Sequence, residues 1–104
     1  MISSHSAPSL ITRLENYTLK FPQEVLLINA VIEGEDDTIV VFKGFSSSMV
    51  RSTAYDPEVP TLPNDAEVKS IDRLKGPYTP ASPEYIEQKI SLDAFIARLD
   101  DGGL

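Results

Sequence analysis

Cysteine is absent from the 104 residues. Disulfide staples, thiolate metal sites and iron–sulfur ligation by this chain are therefore excluded, and a reducing compartment is the default expectation. Histidine is almost absent too. His5 stands alone, in a terminal stretch (1–9) predicted to be flexible, so a Ser-His-Asp triad or a histidine metal site finds no support. No serine sits in a GxSxG turn, and neither GxxxxGK[ST] nor GxGxxG occurs. No window approaches the roughly 18 to 20 apolar residues that a membrane span needs. The opening MISSHSAPS lacks a basic region followed by an apolar core, so it does not read as a secretory signal. The expectation is a chain with no enzymatic activity by itself and no metal, flavin or other cofactor.

What is present describes a globular protein. Hydrophobic residues make up 41% and charged residues 24%, enough for one modest core in a single domain spanning 1–104. Sixteen acids against nine bases leave a net charge of −7. That balance disfavours non-specific attraction to nucleic acid or anionic lipid and favours a basic partner surface, with simple solubility as the alternative.

Along the chain, Ser9 is a candidate cap for a short helix over Leu10 to Asn16, ended by Phe21-Pro22. Glu24 to Ile32, EVLLINAVI, is apolar on both parities apart from Asn29, the pattern of a central strand. The acid run Glu33 to Asp37 reads as a hairpin turn into a second strand, Thr38 to Phe45. These acids lack the alternating spacing and terminal bidentate Glu of a calcium loop. Gly44 and the serines 46–48 predict a bulge or corner, followed by a third strand from Met49 to Tyr55. Asp56 to Asp65 carries three prolines and reads as a stiff loop. Ala66 to Leu74 is expected as an edge strand because of its charges. Ser82-Pro83-Glu84 reads as a helix start, with Ser91 restarting a helix on which Leu92, Phe95, Ile96 and Leu99 share one stripe.

The fold these signals predict is α+β: a small twisted antiparallel sheet of four or five strands, or a partial barrel, with a C-terminal amphipathic helix. The sheet is expected over 24–74 and a helical lid over 82–99. The expected core is Val25, Leu27, Ile28, Val40, Phe42, Val50, Ile71, Leu92, Phe95, Ile96 and Leu99.

The candidate partner-binding residues are Lys43, Phe45, Arg51, Tyr55, Asp56 and Glu58. Phe45 and Tyr55 supply amphipathic area and Arg51 a fork of donors, while the prolines lower the ordering cost of the loop. The competing reading puts Phe45 and Tyr55 in the core under a covering Arg51. Lys43, Arg51, Lys69, Arg73 and Lys75, with Phe45, Tyr55 and Tyr78 nearby, also leave open a small β-barrel that binds RNA.

EVLLINAVI, VFKGFSSSMVRSTAYDPEVPTLP and IDRLKGPYTPASPEYIEQKIS together resemble a family of small cyanobacterial and chloroplast proteins. That family includes the V subunit (NdhV) of the photosynthetic NDH-1 complex, and the resemblance runs from Arg13 to Leu99. It implies an accessory subunit on the cytoplasmic or stromal side of the thylakoid membrane. The host complex takes electrons from ferredoxin and passes them to plastoquinone in cyclic electron flow. The implied partners are the ferredoxin-binding S subunit and the iron–sulfur I subunit. No catalytic or cofactor motif comes with the resemblance, and a free-standing assembly factor or adaptor fits the same features.

Overall fold

The structure is a computed structural model that describes residues 9–49, 62–63, 66–79 and 81–104. Helix α1 (Leu10–Lys20) leads into β1 (Glu24–Ile32), β2 (Glu35–Phe42) and β3 (Phe45–Ser48). Then come β4 (Glu67–Lys75), β5 (Tyr85–Ile90) and helix α2 (Leu92–Asp101). The five strands form one antiparallel open sheet in the order β3-β2-β1-β4-β5. The architecture is α+β and the sheet does not close into a barrel.

β1 is central because both its parities are apolar and find cover. Leu26, Ile28, Ala30 and Ile32 join Ile39 and Val41 of β2 beneath the two helices. The helices contribute Ile11, Leu14 and Tyr17 from α1, and Phe95 and Leu99 from α2. On the opposite face Val25, Leu27 and Leu74 form a smaller cluster with half-buried Val40, Phe42 and Tyr78. The expected core is thus corrected on β2. Ile39 and Val41 are fully buried, while Val40 and Phe42 line the thinner face. Leu92 and Ile96 are only half-buried, and Val50 lies outside the described residues.

Two hairpin turns are tighter than the sequence suggests. Ile32 pairs directly with Glu35, so Glu33 and Gly34 alone make the first turn, at φ 53° and 80°. Two consecutive left-handed residues give the twist that adjoining antiparallel strands need. The acids 35–37 therefore belong to β2, not to a five-residue loop. The second turn repeats this geometry at Lys43 and Gly44, with φ 49° and 83°. Phe42 then faces Phe45, and the serines continue as β3 instead of forming a corner. The strand expected over Met49 to Tyr55 is not found at Met49, which follows β3; its remaining residues lie outside the described ones.

The C-terminal third differs most from expectation. β4 sits between β1 and β5, not at an edge. Its charges are satisfied laterally: Arg73 reaches Glu24 and Glu87, while Asp72 accepts the Lys89 amide at 2.8 Å. Tyr85 to Gln88 is strand, so the helical lid shrinks from 82–99 to α2 alone. The local Ser-Pro-Glu helix signal yields to the open edge of β4, whose backbone groups take β5 as partner. β5 carries two register shifts and a left-handed Lys89 (φ 56°), devices that keep an edge strand from pairing further.

Both helix starts follow the serines that the sequence marks. Ser9 accepts from the Thr12 amide at 3.3 Å and Ser91 from the Ala94 amide at 3.2 Å. α1 runs to Lys20, four residues past its expected end at Asn16. Arg13 then clamps the helices together, donating to the Asp100 carboxylate at 2.5 Å and to the Leu104 carbonyl at 2.8 Å. Among the described residues, no helix is long and apolar enough to cross a membrane.

Candidate functional site

The β2–β3 hairpin brings together two of the six candidate partner-binding residues, Lys43 and Phe45. Lys43 occupies the turn and its Nζ lies 5.2 Å from the Phe42 ring centroid, a cation–π distance. Phe45, next along, is 81% exposed. That exposure overturns the reading in which Phe45 fills the core. Arg51, Tyr55, Asp56 and Glu58 lie outside the described residues. A concavity of about 350 Å³ on this hairpin is lined by Val40, Phe42, Lys43, Phe45, Ser46 and Ser47.

This hairpin is fastened from behind. The Gly44 amide donates to Thr18 Oγ1 at 2.9 Å, and Ser46 Oγ to Glu15 Oε2 at 2.7 Å. Ser48 Oγ donates to Asp37 Oδ2 at 2.6 Å. Leu19 lies so close over the turn that a Cβ on Gly44 would stand 2.8 Å from its Cδ2. Glycine is therefore required twice here, by its positive φ and by the approach of α1. The result is a hairpin held against a helix while presenting a large aromatic to solvent.

A second polar arrangement escapes sequence reading altogether. Tyr17 from α1 donates to Glu24 Oε1 at 2.7 Å, and Arg73 from β4 grips both Glu24 oxygens, at 2.8 and 3.0 Å. Arg73 also bonds Glu87 of β5, which Arg98 of α2 holds at 2.5 and 2.7 Å. Burial pushes the Glu24 carboxyl up, but hydrogen bonds from Arg73 and Tyr17 outweigh it and leave the group below its ordinary value. Hydrogen bonds from Arg98 and Arg73 hold Glu87 down to about 2. Burial, then the bond to Glu24, pushes the Tyr17 phenol up to about 12. The five residues come from five elements, so no spacing in the sequence announces them. The network ties helices to sheet.

On the thinner face, Asn29 interrupts the apolar run of β1 for a visible reason. Its Nδ2 donates to Ser70 Oγ at 3.1 Å and Asp72 Oδ2 at 3.3 Å. A polar groove of about 430 Å³ follows, lined by Asn29, Ala30, Asp36, Asp37, Thr38 and Lys69. Among the described residues, no three His, Asp or Glu side chains converge as a metal site.

No curated protein and no solved structure matches the chain. The family described as a domain of unknown function (DUF7734) matches residues 11–99, and the chain belongs to that family.

Proposed function

We propose that this chain is a non-catalytic accessory subunit that stabilises the peripheral arm of a photosynthetic NDH-1 complex, the ferredoxin–plastoquinone oxidoreductase of cyclic electron flow. Its resemblance to the family of the V subunit supports this reading over Arg13 to Leu99. The structural observation that carries it is Phe45, 81% exposed on a hairpin braced by α1. A large aromatic presented to water from a braced backbone suits a docking anchor, because the hairpin itself needs no ordering when a partner covers it. The S and I subunits are the partners this reading assigns, on the cytoplasmic or stromal side of the thylakoid membrane.

The test is affinity capture of the tagged chain from native membrane extracts, with partners identified by mass spectrometry. Recovery of the NDH-1 subunits in constant proportion supports the reading. Recovery with partial assemblies only makes the chain an assembly factor. Salt-sensitive retention on single-stranded RNA without any complex overturns it in favour of nucleic-acid binding.

A further inference from the structure

We infer that the lysine-bearing end of the sheet is a docking surface for an acidic, extended segment of a partner protein that carries a large apolar side chain. The strand register gathers this end from distant parts of the chain. Glu24 at the start of β1 faces Lys75 at the end of β4, and Val25 faces Phe42, next to the Lys43–Gly44 turn. Lys20 and Phe21 close α1 at the same end, and Ile86 stands near the start of β5. A pocket of about 420 Å³ opens here, with Lys20, Phe21, Lys75 and Ile86 in its wall. Leu19, Phe21 and Ile86 are 61%, 40% and 47% exposed, large apolar side chains left in water.

The charges favour an acidic occupant. Among the described residues, neither Lys20 nor Lys43 meets a carboxylate: Lys20 donates to the Gly102 carbonyl at 3.2 Å, and Lys43 lies over Phe42. Lys75 reaches Glu84 only at 4.0 Å, with both side chains about 70% exposed. Glu24, the acid in the pocket wall, is already committed to Arg73 and Tyr17. The acids of the β1–β2 turn sit at the far end of β1, nine residues or about 27 Å away. That exceeds a Debye length of about 8 Å at physiological salt, so those turn acids do not offset the lysines. The nearer acids are Glu84 beside Lys75, Asp100, held by Arg13, and Asp101, next to the Gly102 that Lys20 bonds.

Dimensions favour a chain segment. Three strand spacings separate β2 from β5, so the patch extends about 14 Å, four to five residues of extended chain. A concave pocket between two lysines receives one protruding side chain, a shape that a flat lipid surface does not supply. The inference does not rest on which assembly the chain enters, and peptide binding and co-purification can fail separately.

The experiment is fluorescence anisotropy on the full chain with a dye-labelled acidic peptide in which Leu and Phe are set among Asp and Glu. Saturable binding is expected. It should weaken by about tenfold or more with Lys20→Glu combined with Lys75→Glu, and likewise when the peptide's Leu and Phe become Ala. Lys69→Glu, at the opposite end in the polar groove, should leave it unchanged. If the lysine pair variant does not fold, Ile86→Asp on the same pocket must show the loss instead. Absent binding, or binding insensitive to these changes, overturns the inference. So does a patch that retains phosphatidylglycerol vesicles but not the peptide, or one occupied by a second copy of the chain.

Discussion

Arg73 meets Glu24 as a two-pronged pair across the β1–β4 ladder, Nε to Oε1 at 2.8 Å and Nη2 to Oε2 at 3.0 Å. Both side chains are mostly covered, at 19% and 14% exposure, which raises the cost of separating them. Arg73 also joins Glu87, so one guanidinium holds β1, β4 and β5 in register while Tyr17 and Arg98 attach the helices.

This geometry makes stability fall in acid. Glu24 and Glu87 both have folded values below the ordinary 4.5, Glu87 at about 2. The unfolded chain therefore takes up protons first. The stabilisation is fully present above about pH 4.5 and is lost as pH falls through the folded values toward about 2. Urea midpoints measured across that range should decline, and Glu24→Gln should flatten the decline. Arg73→Met, which leaves the covered Glu24 carboxylate short of its two-pronged donor while Arg98 still holds Glu87, should cost about 1 to 3 kcal/mol at neutral pH. A midpoint in Glu24→Gln with the same pH slope as the parent would count against the network.

The closure of the core by α2 predicts a large loss on truncation. Phe95 is fully buried and its ring lies 5.2 Å from that of Tyr17, so the side chain joins both helices to the sheet. Phe95→Ala should cost about 3 to 5 kcal/mol in chemical denaturation. An unchanged midpoint would mean that α2 does not seal this face.

How far the sequence revealed these relationships depends on whether the signal is local. EVLLINAVI reads as a central strand because its apolar run covers both parities, and Phe95 and Leu99 follow from helical spacing. The same logic does not rank the two faces of β2. Ile39–Val41 and Val40–Phe42 alternate equally well, and only the arrival of two helices decides that the first pair lies deeper. At Tyr85 the local proline and serine signals favour a helix, whereas the unpaired edge of β4 favours a strand, and the tertiary demand prevails. In the candidate site, Lys43 and Phe45 are legible as exposed polar and aromatic residues beside a glycine. The brace from Thr18 and Glu15 is not, because it joins residues 26 and 31 positions apart.

The two left-handed glycines of the hairpin turns offer a controlled comparison. Gly34 (φ +80°) has open space where a Cβ would go, whereas Gly44 (φ +83°) would place one 2.8 Å from Leu19. Gly34→Ala should lose only the left-handed penalty of about 1 to 2 kcal/mol. Gly44→Ala should lose more, and adding Leu19→Ala should return it to the Gly34→Ala level. Leu19 is 61% exposed, so its own truncation should cost little. Equal losses at the two glycines would show that α1 does not press on the turn.

Phe45 separates docking from folding most cleanly. It projects from a four-residue strand and is 81% exposed, so Phe45→Ser removes almost no buried surface, and thermal stability should change by less than about 0.5 kcal/mol. If the residue anchors a partner, truncation should still lower retention on the captured complex, since large aromatics at interface centres commonly contribute about 2 kcal/mol or more. Lys43→Glu tests the neighbouring charge. It reverses a cation at a turn position whose ammonium lies over the Phe42 ring and, among the described residues, meets no carboxylate, so it too should leave the fold intact while reducing capture. Glu15→Ala provides the mechanical control. It removes the bond to Ser46 behind the hairpin without touching the exposed face, so it should reduce retention less than Phe45→Ser does. Full retention of partners by a folded Phe45→Ser, Lys43→Glu double variant would remove the hairpin from the interface, and the proposed subunit contact would have to lie elsewhere on the chain.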